Sequence, residues 1–334
     1  MSEAASAGPG ALQVVAPFWL DRPDEEAVEI AVQAERNGFE TMWLGEMASF
    51  DAFALATAVG IRAPGLRLKI GPLAAGVRSP VALALGLSSV ALLTGARADL
   101  ALGASSPDIV VGWHDRRWSA VAARAGETVE AVRSILAGER AAYSGEHVHA
   151  QGFRLRRPQP DARISLAAFG PHMTRVAART ADEVVLNLVT PERVAQVRSI
   201  VEEEARSNGR TPPALAVWVT VALDPQAATL AQMAAQIAVY LRPPGYGEMF
   251  TELGFGELVD RARAGARRSE LAEQITGELL SQVCAIGSSE EIGARLAAYR
   301  AAGAEHVGIA PATAEDPAGA RVMAALGPAI GAAA

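Results

Sequence analysis

Leu12-Gln-Val-Val-Ala-Pro-Phe-Trp-Leu-Asp-Arg-Pro-Asp24 is the stretch that separates two folds for this sequence. Residues 12–16 form an apolar run of strand length, and residues 24–37 follow with helical periodicity. A doubly wound nucleotide-binding sheet needs glycines at this first turn, so that a pyrophosphate can approach the backbone. Asp21-Arg-Pro-Asp24 contains none. The open sheet is therefore the alternative, and the repeat that follows decides for a closed barrel.

That repeat is a short apolar run followed by a helix. Residues 41–44, 66–71 and 98–103 read as the second to fourth strands. Residues 163–168, 183–187, 214–223 and 306–310 read as the fifth to eighth. The helices carry their own boundary signals. Asp24-Glu-Glu26 and Gly38 bracket the first, Asp51 caps the second, Pro64-Gly65 stops it, and Ser79-Pro80 opens the third. Residues 119–137, a short segment after the fifth strand, 191–208 and 288–302 supply four more, and a last helix ends near Leu326. Three excursions interrupt the pattern: residues 104–118, a glycine-bounded hairpin over 143–155 within 141–160, and a helical insertion over 224–282 broken at Arg242-Pro-Pro-Gly-Tyr-Gly247. Eight strand–helix units predict an α/β fold of the (β/α)8 barrel type. One domain is expected over residues 12–330, after a loose tail at residues 1–11.

Composition narrows the function classes. Half of the 334 residues are apolar and the net charge is −7, which disfavours nucleic acid as a partner. Cys284 is the only cysteine and reads as core, so no internal disulfide is possible and a cytoplasmic setting is expected. Lys69 is the only lysine among 30 basic residues. The uncharged stretch 79–96 contains Gly86, Ser88, Ser89 and Gly95 between two strands, and reads as a helix against a sheet, not a membrane span.

In a barrel of this type the site lies at the C-terminal strand ends. Those ends carry Phe18 and Trp19, Gly45 through Met47, Gly71 through Gly76, Gly103 through Ser106, Phe169 through His172, and Asn187 through Thr190. Only Glu46 among them is acidic, and none is a lysine. Such a set leaves the hard chemistry to a bound cofactor. Gly170-Pro171-His172 opens a helix whose free N–H groups suit a phosphate. Residues 72–76 continue the third strand through small residues, against which a flat ring can lie.

The motifs Met42-Trp-Leu-Gly-Glu46, Ile70-Gly-Pro-Leu73, Leu102-Gly-Ala-Ser-Ser-Pro107 with Gly112-Trp-His114, Ala167-Ala-Phe-Gly-Pro171 and Ala181-Asp-Glu-Val-Val-Leu-Asn187 resemble the luciferase-like monooxygenase superfamily. Among its branches they look most like the one that uses the deazaflavin coenzyme F420. Ala285-Ile-Gly-Ser-Ser-Glu-Glu291 and Ala302-Gly-Ala-Glu-His-Val307 are similar to that family's last repeat. The resemblance runs from about residue 12 to residue 326, and rests on order and spacing together.

It implies a ring lying across the strand ends, with Gly71, Leu73, Ala74, Gly103 and Ser105 beneath or beside it. It implies a non-prolyl cis peptide near Leu73-Ala74, and a cofactor phosphate at Ala168, Phe169, Gly170, Pro171 and His172 with Asn187 and Leu188 nearby. Glu46 matches the acid that contacts the ring system in deazaflavin-dependent relatives. Phe18, Met47, Ser106 and Trp113 fall on the substrate side. The sugar-phosphate dehydrogenases of the branch have a histidine after that acid and a glutamate after the fourth strand. Met47 and Ser106 stand there in this sequence, so that activity is not expected.

His114, beside Trp113, is the remaining candidate proton donor. His147 and His149 are two apart and would share one strand face, but no third metal ligand is near. They read as solvated hairpin residues, and His306 as structural. The expected function is hydride transfer between coenzyme F420 and a small organic substrate, by a homodimer with no membrane partner. The alternatives are an FMN-dependent luciferase-like monooxygenase and a flavin- or deazaflavin-binding protein without turnover.

Overall fold

The structure is a computed structural model that describes residues 10–46 and 48–327. Residues 1–9 of the expected tail, Met47, and residues 328–330 of the expected domain lie outside the described residues.

In chain order the strands are β1 (Leu12–Val15), β2 (Thr41–Leu44), β3 (Arg67–Ala74), β4 (Ala98–Gly103), β5 (Ala142–Ser144), β6 (His149–Gln151), β7 (Ile164–Ala167), β8 (Glu183–Asn187), β9 (Ala214–Leu223), β10 (Cys284–Gly287) and β11 (His306–Pro311). The helices are α1 (Glu26–Arg36), α2 (Ala52–Arg62), α3 (Pro80–Thr94), α4 (Val121–Leu136), α5 (Pro171–Thr180), α6 (Pro191–Ser207), α7 (Ala227–Tyr240), α8 (Tyr246–Phe250), α9 (Gly256–Arg263), α10 (Arg268–Ala272), α11 (Gly277–Val283), α12 (Ser289–Ala301) and α13 (Ala320–Leu326). Strands β1, β2, β3, β4, β7, β8, β9 and β11 pair in that order, all parallel, and β11 returns to β1. The sheet is thus a closed eight-stranded (β/α)8 barrel ringed by helices. β5 and β6 form the antiparallel surface hairpin.

Local chemistry sets the helix starts. Asp51 accepts the N–H groups of Phe53 and Ala54, Ser79 that of Ala82, and Thr190 that of Arg193. Ser288 and Glu291 make a reciprocal capping box. α3 carries no charge, buries Leu83, Leu87 and Val90 against the sheet, and stops at Gly95 in the left-handed region. No helix among the described residues is long and apolar enough to cross a membrane.

The sequence reading misses one strand. β9 pairs with β8 as far as Asn187 opposite Trp218, and with β10 from Thr220 opposite Cys284 onward. β10 therefore takes the place beside β9 that β8 has vacated. Four residues ending in glycine carry too little alternation to announce this. β3 also ends three residues later than expected. Its pairing with β4 breaks between Ile70 and Leu73 and resumes at Leu73 and Ala74, so the bulge extends the strand past Gly71-Pro72. Among the described residues the cis peptide is Gly71–Pro72, an X-Pro bond, which corrects the non-prolyl bond expected near Leu73-Ala74. His147 precedes β6 in the hairpin turn, so it does not share a strand face with His149.

The barrel interior is layered. Toward the N-terminal strand ends, Lys69 Nζ lies 2.8 and 2.7 Å from the two carboxylate oxygens of Glu183. Ser165 Oγ and His306 Nδ1 reach the same carboxylate at 2.6 Å each. Arg67 meets Asp99 through two hydrogen bonds. Above Lys69, at 4.4 Å from its ammonium, is the Trp43 ring, whose Nε1 donates to Gln13 Oε1. Trp43 packs edge-on against Trp218 at 5.2 Å, within a small cluster that includes Val15, Ala101, Val185 and Ala310. A Cβ at Gly308 would come within 2.8 Å of Val15 and 3.1 Å of Trp218, so glycine there makes room for the indole. The two tryptophans form a floor that separates the charged base from the mouth.

Candidate active site at the barrel mouth

The mouth above this floor is built from small residues. Gly71 has φ +124°, and a Cβ there would lie 2.1 Å from the Ala101 carbonyl oxygen, so no side chain fits. A Cβ at Gly103 would come within 3.3 Å of both Pro72 and Ala167. Gly71, Pro72, Gly103 and Ala167 thus present a low surface on adjacent strands. Leu73, Ala168 and Leu188 are buried in the main core, and the Ala168 N–H already donates to the Val185 carbonyl at 3.3 Å. Ala74 is partly buried at the end of β3. Trp218 stands level with Asn187, and its buried Nε1 has no hydrogen-bond partner.

Across the mouth, α5 begins at Gly170 with Pro171 in its first turn and no side chain capping it. His172 is exposed there, and a Cβ on Gly170 would meet nothing within 4 Å. The N–H groups of His172 and Met173 belong to the first turn, before the helical bonds begin with Thr174 to the Gly170 carbonyl. Phe169 lies 4.6 Å from Tyr246, which lies 4.9 Å from Tyr240. Asn187 hydrogen-bonds to both phenols. Burial pushes both phenols above their ordinary value, and the Asn187 hydrogen bonds oppose the shift. Gly245, at φ +89°, lets the insertion come down onto Phe169. Tyr240 and Tyr246 are site residues the sequence reading does not name. The break at 242–247 in the helical pattern is the signal that the chain turns there.

Glu46 is not free at the mouth. Arg78 Nη1 and Nη2 donate to its two oxygens at 2.7 and 2.6 Å, and its Oε1 also accepts from Ala52 N–H. Arg78 Nη2 reaches Asp51 at 2.6 Å as well. Hydrogen bonding to Glu46 raises the already high Arg78 pKa against the effect of burial. Burial alone would raise the Asp51 carboxyl; the Ala54 N–H and Arg78 outweigh it and hold the carboxyl below its ordinary value. A carboxylate held by two donors in such a fork has a fixed orientation. Arg78, absent from the sequence reading, precedes the Ser79 cap and so sits on the strand-end face. Phe18 lies close by, with its ring edge 3.1 Å from where a Gly45 Cβ would be.

The excursion after β4 takes a form the sequence does not suggest. Ser105 has φ +67°, Ser106 accepts weakly from Ile109 N–H at 3.4 Å, and residues 108–113 make a π-helical turn. Val110 is buried beneath it, whereas Trp113 is 59% exposed. His114 is exposed and makes only a backbone hydrogen bond, to Ile109, among the described residues. Asp108 pairs with Arg242 at 3.3 Å, linking this excursion to the insertion. Met47, expected on the substrate side, lies outside the described residues. Among the described residues no cluster of three or more His, Cys, Asp or Glu could hold a metal ion. Burial raises the Cys284 thiol to about 12, so it is no nucleophile near neutrality.

Comparison with known proteins gives the family and matches the fold. The family model for luciferase-like monooxygenases matches residues 8–306. A Mycobacterium tuberculosis protein, named provisionally as a coenzyme F420-dependent oxidoreductase, is 26% identical, over 90% of this chain and 94% of its own. The solved coenzyme F420-dependent tetrahydromethanopterin reductase of Methanopyrus kandleri superposes with a TM-score of 0.78 at 17% identity, covering 95% and 97% of the two chains. An FMN complex of a type II Baeyer–Villiger monooxygenase from Pseudomonas putida gives 0.68 at 17% identity, over 95% and 96%.

Proposed function

Because the chain belongs to the luciferase-like monooxygenase family, we propose that it is an oxidoreductase using coenzyme F420, with hydride passing between the deazaflavin and a small organic substrate. The observation that carries this reading is the pairing of a glycine-built platform at Gly71 and Gly103 with an uncapped α5 terminus across one mouth. Similarity to the mycobacterial relative over nine-tenths of the chain supports the choice of coenzyme.

When bound, coenzyme F420 would supply the ring carbon that carries the hydride. The chain's part is position and environment. Gly71, Pro72, Gly103 and Ala167 offer one flat face. The His172 and Met173 N–H groups, with the helix dipole, would hold a phosphate. Phe169, Asn187, Tyr240 and Tyr246 wall that end, and the unpartnered Trp218 N–H can donate to a ring oxygen. Glu46, fixed by Arg78, positions a ring edge, and His114 is the candidate for moving a proton. The homodimer and the cytoplasmic setting belong to the same proposal. Exposed Ile61 on α2 and Leu85, Leu92 and Leu93 on α3 provide an apolar face for a second copy.

The FMN-dependent reading stays as the second choice, because an uncapped helix terminus suits either cofactor's phosphate and the FMN-bound neighbour shares the fold. Titrating the apoprotein with coenzyme F420 and with FMN, followed by fluorescence quenching, separates them. Tight FMN binding without deazaflavin binding reverses the choice. Deazaflavin binding with no reduction across a panel of enones and imines leaves a binding protein without turnover.

A further inference from the structure

We propose that a cleft beside the ends of β3 and β4 is an anion subsite, and that the substrate carries a carboxylate or phosphate that docks in it. This rests on the function proposed above in one respect, that the substrate reacts at the mouth. The cleft is lined by Gly76, Gly103 and Ala104 from the strand ends, and by Arg117, Trp118 and Arg124 on the approach to α4 and its first turn. No acidic residue lines it.

Both guanidiniums have unused capacity. Arg124 Nη1 donates to the His147 carbonyl at 2.9 Å, but its buried Nε has no partner. Arg117 makes no hydrogen bond or ion pair among the described residues. Among the carboxylates near them in the chain, Asp115 is two residues from Arg117 but does not line the cleft, and two others are committed elsewhere. Asp108 pairs with Arg242, and Glu127 accepts the N–H groups of Glu146, His147 and Val148. A buried N–H without an acceptor is costly, and an oxyanion between two guanidiniums would satisfy it with charge-assisted bonds. A Cβ at Gly76 would meet Arg124 Cδ at 3.5 Å, an ordinary contact, so Gly76 and the arginine stem share one wall of the cleft. The α5 terminus follows β7, whereas the cleft lies at the ends of β3 and β4, so the cofactor's phosphate and the substrate's charge are given different strand ends.

Trp118 is a reporter inside the cleft. In a Trp113→Phe background, the apoprotein is titrated with sodium phosphate and with sodium acetate at constant ionic strength, with chloride as control. A saturable change in tryptophan emission is expected. Arg117→Gln should raise the half-saturation concentration about tenfold, the loss of one charge-assisted hydrogen bond, and Arg117→Lys should recover part of it. A response indistinguishable from chloride, or one that Arg117→Gln leaves unchanged, overturns the subsite. Coenzyme F420 carries an acidic glutamyl tail, so titration with it and with the deazaflavin lacking that tail then assigns the source of the anion. Arg117→Gln should leave both dissociation constants within about twofold. Selective weakening of the tailed coenzyme gives the subsite to the cofactor and overturns the substrate assignment. Failure of both deazaflavins to bind the parent overturns the proposed function, while the phosphate and acetate titrations still decide the subsite.

Discussion

The two ends of the barrel are built on opposite rules. At the base, charged groups are enclosed and each finds its complement: Lys69, Ser165 and His306 converge on Glu183, and Arg67 on Asp99. At the mouth the platform is built of small residues, and Trp218 Nε1 and Arg124 Nε are buried without partners. Full satisfaction of polar groups marks a region that serves stability. Small residues with groups left unmet mark a region shaped for something else to complete.

The sharpest way to break the comparison is at the base. Glu183→Gln should cost about 3–5 kcal/mol in chemical denaturation, because it leaves the Lys69 ammonium buried without its counter-charge. Burial alone would push the Glu183 carboxyl up; the Lys69 ammonium and the His306 hydrogen bond outweigh it and hold it at about 2. Its pKa is thus lower folded than unfolded. The stability it contributes is complete above the ordinary carboxyl range near 4.5 and drains as pH falls from there toward 2. Denaturation midpoints measured across that window should show a slope in the parent that Glu183→Gln reduces. An unchanged slope would mean that other carboxylates govern acid unfolding.

Next in size is the platform. Gly71→Ala forces a Cβ against the Ala101 carbonyl at a positive φ, with an expected loss of about 1–3 kcal/mol and weaker deazaflavin binding. Thermal unfolding and quenching titrations check the two parts separately. A variant as stable as the parent would show that this close approach can relax. Arg78→Gln comes third, at about 1 kcal/mol, since the Glu46 and Asp51 partners are partly exposed. Its larger signature is in cofactor affinity, which should fall if the fixed Glu46 positions the ring. The smallest effect belongs to His114→Ala. Stability should change by less than about 0.5 kcal/mol, with cofactor binding intact. Loss of turnover with binding preserved would give His114 the proton-donor role, and full turnover would remove it.

Sequence reading does well where structure is local. Strands β4, β8 and β9 have the bounds their apolar runs suggest, and α12 starts where Ser288 and Glu291 say it should. The strand-end residues follow from chain order alone once a barrel is assumed. What escapes depends on closure. Tyr246 meets Phe169 across 77 positions of sequence, and Arg78 reaches Glu46 across 32. Neither pairing leaves a periodic trace. Gly71-Pro72 looks like a strand stop, yet neighbouring hydrogen bonds carry β3 onward through its bulge.

The solitary lysine has a practical corollary in protein chemistry. Its ε-amine is enclosed by Glu183 and the Trp43 ring, with the residue only 6% exposed, and every other cationic side chain longer than histidine is an arginine. An acylating reagent therefore finds no lysine to modify on the folded molecule. Each molecule whose barrel opens gains one accessible ε-amine, and with it one fixed increment in mass. Mass spectrometry after timed exposure to such a reagent would count openings of the barrel one molecule at a time.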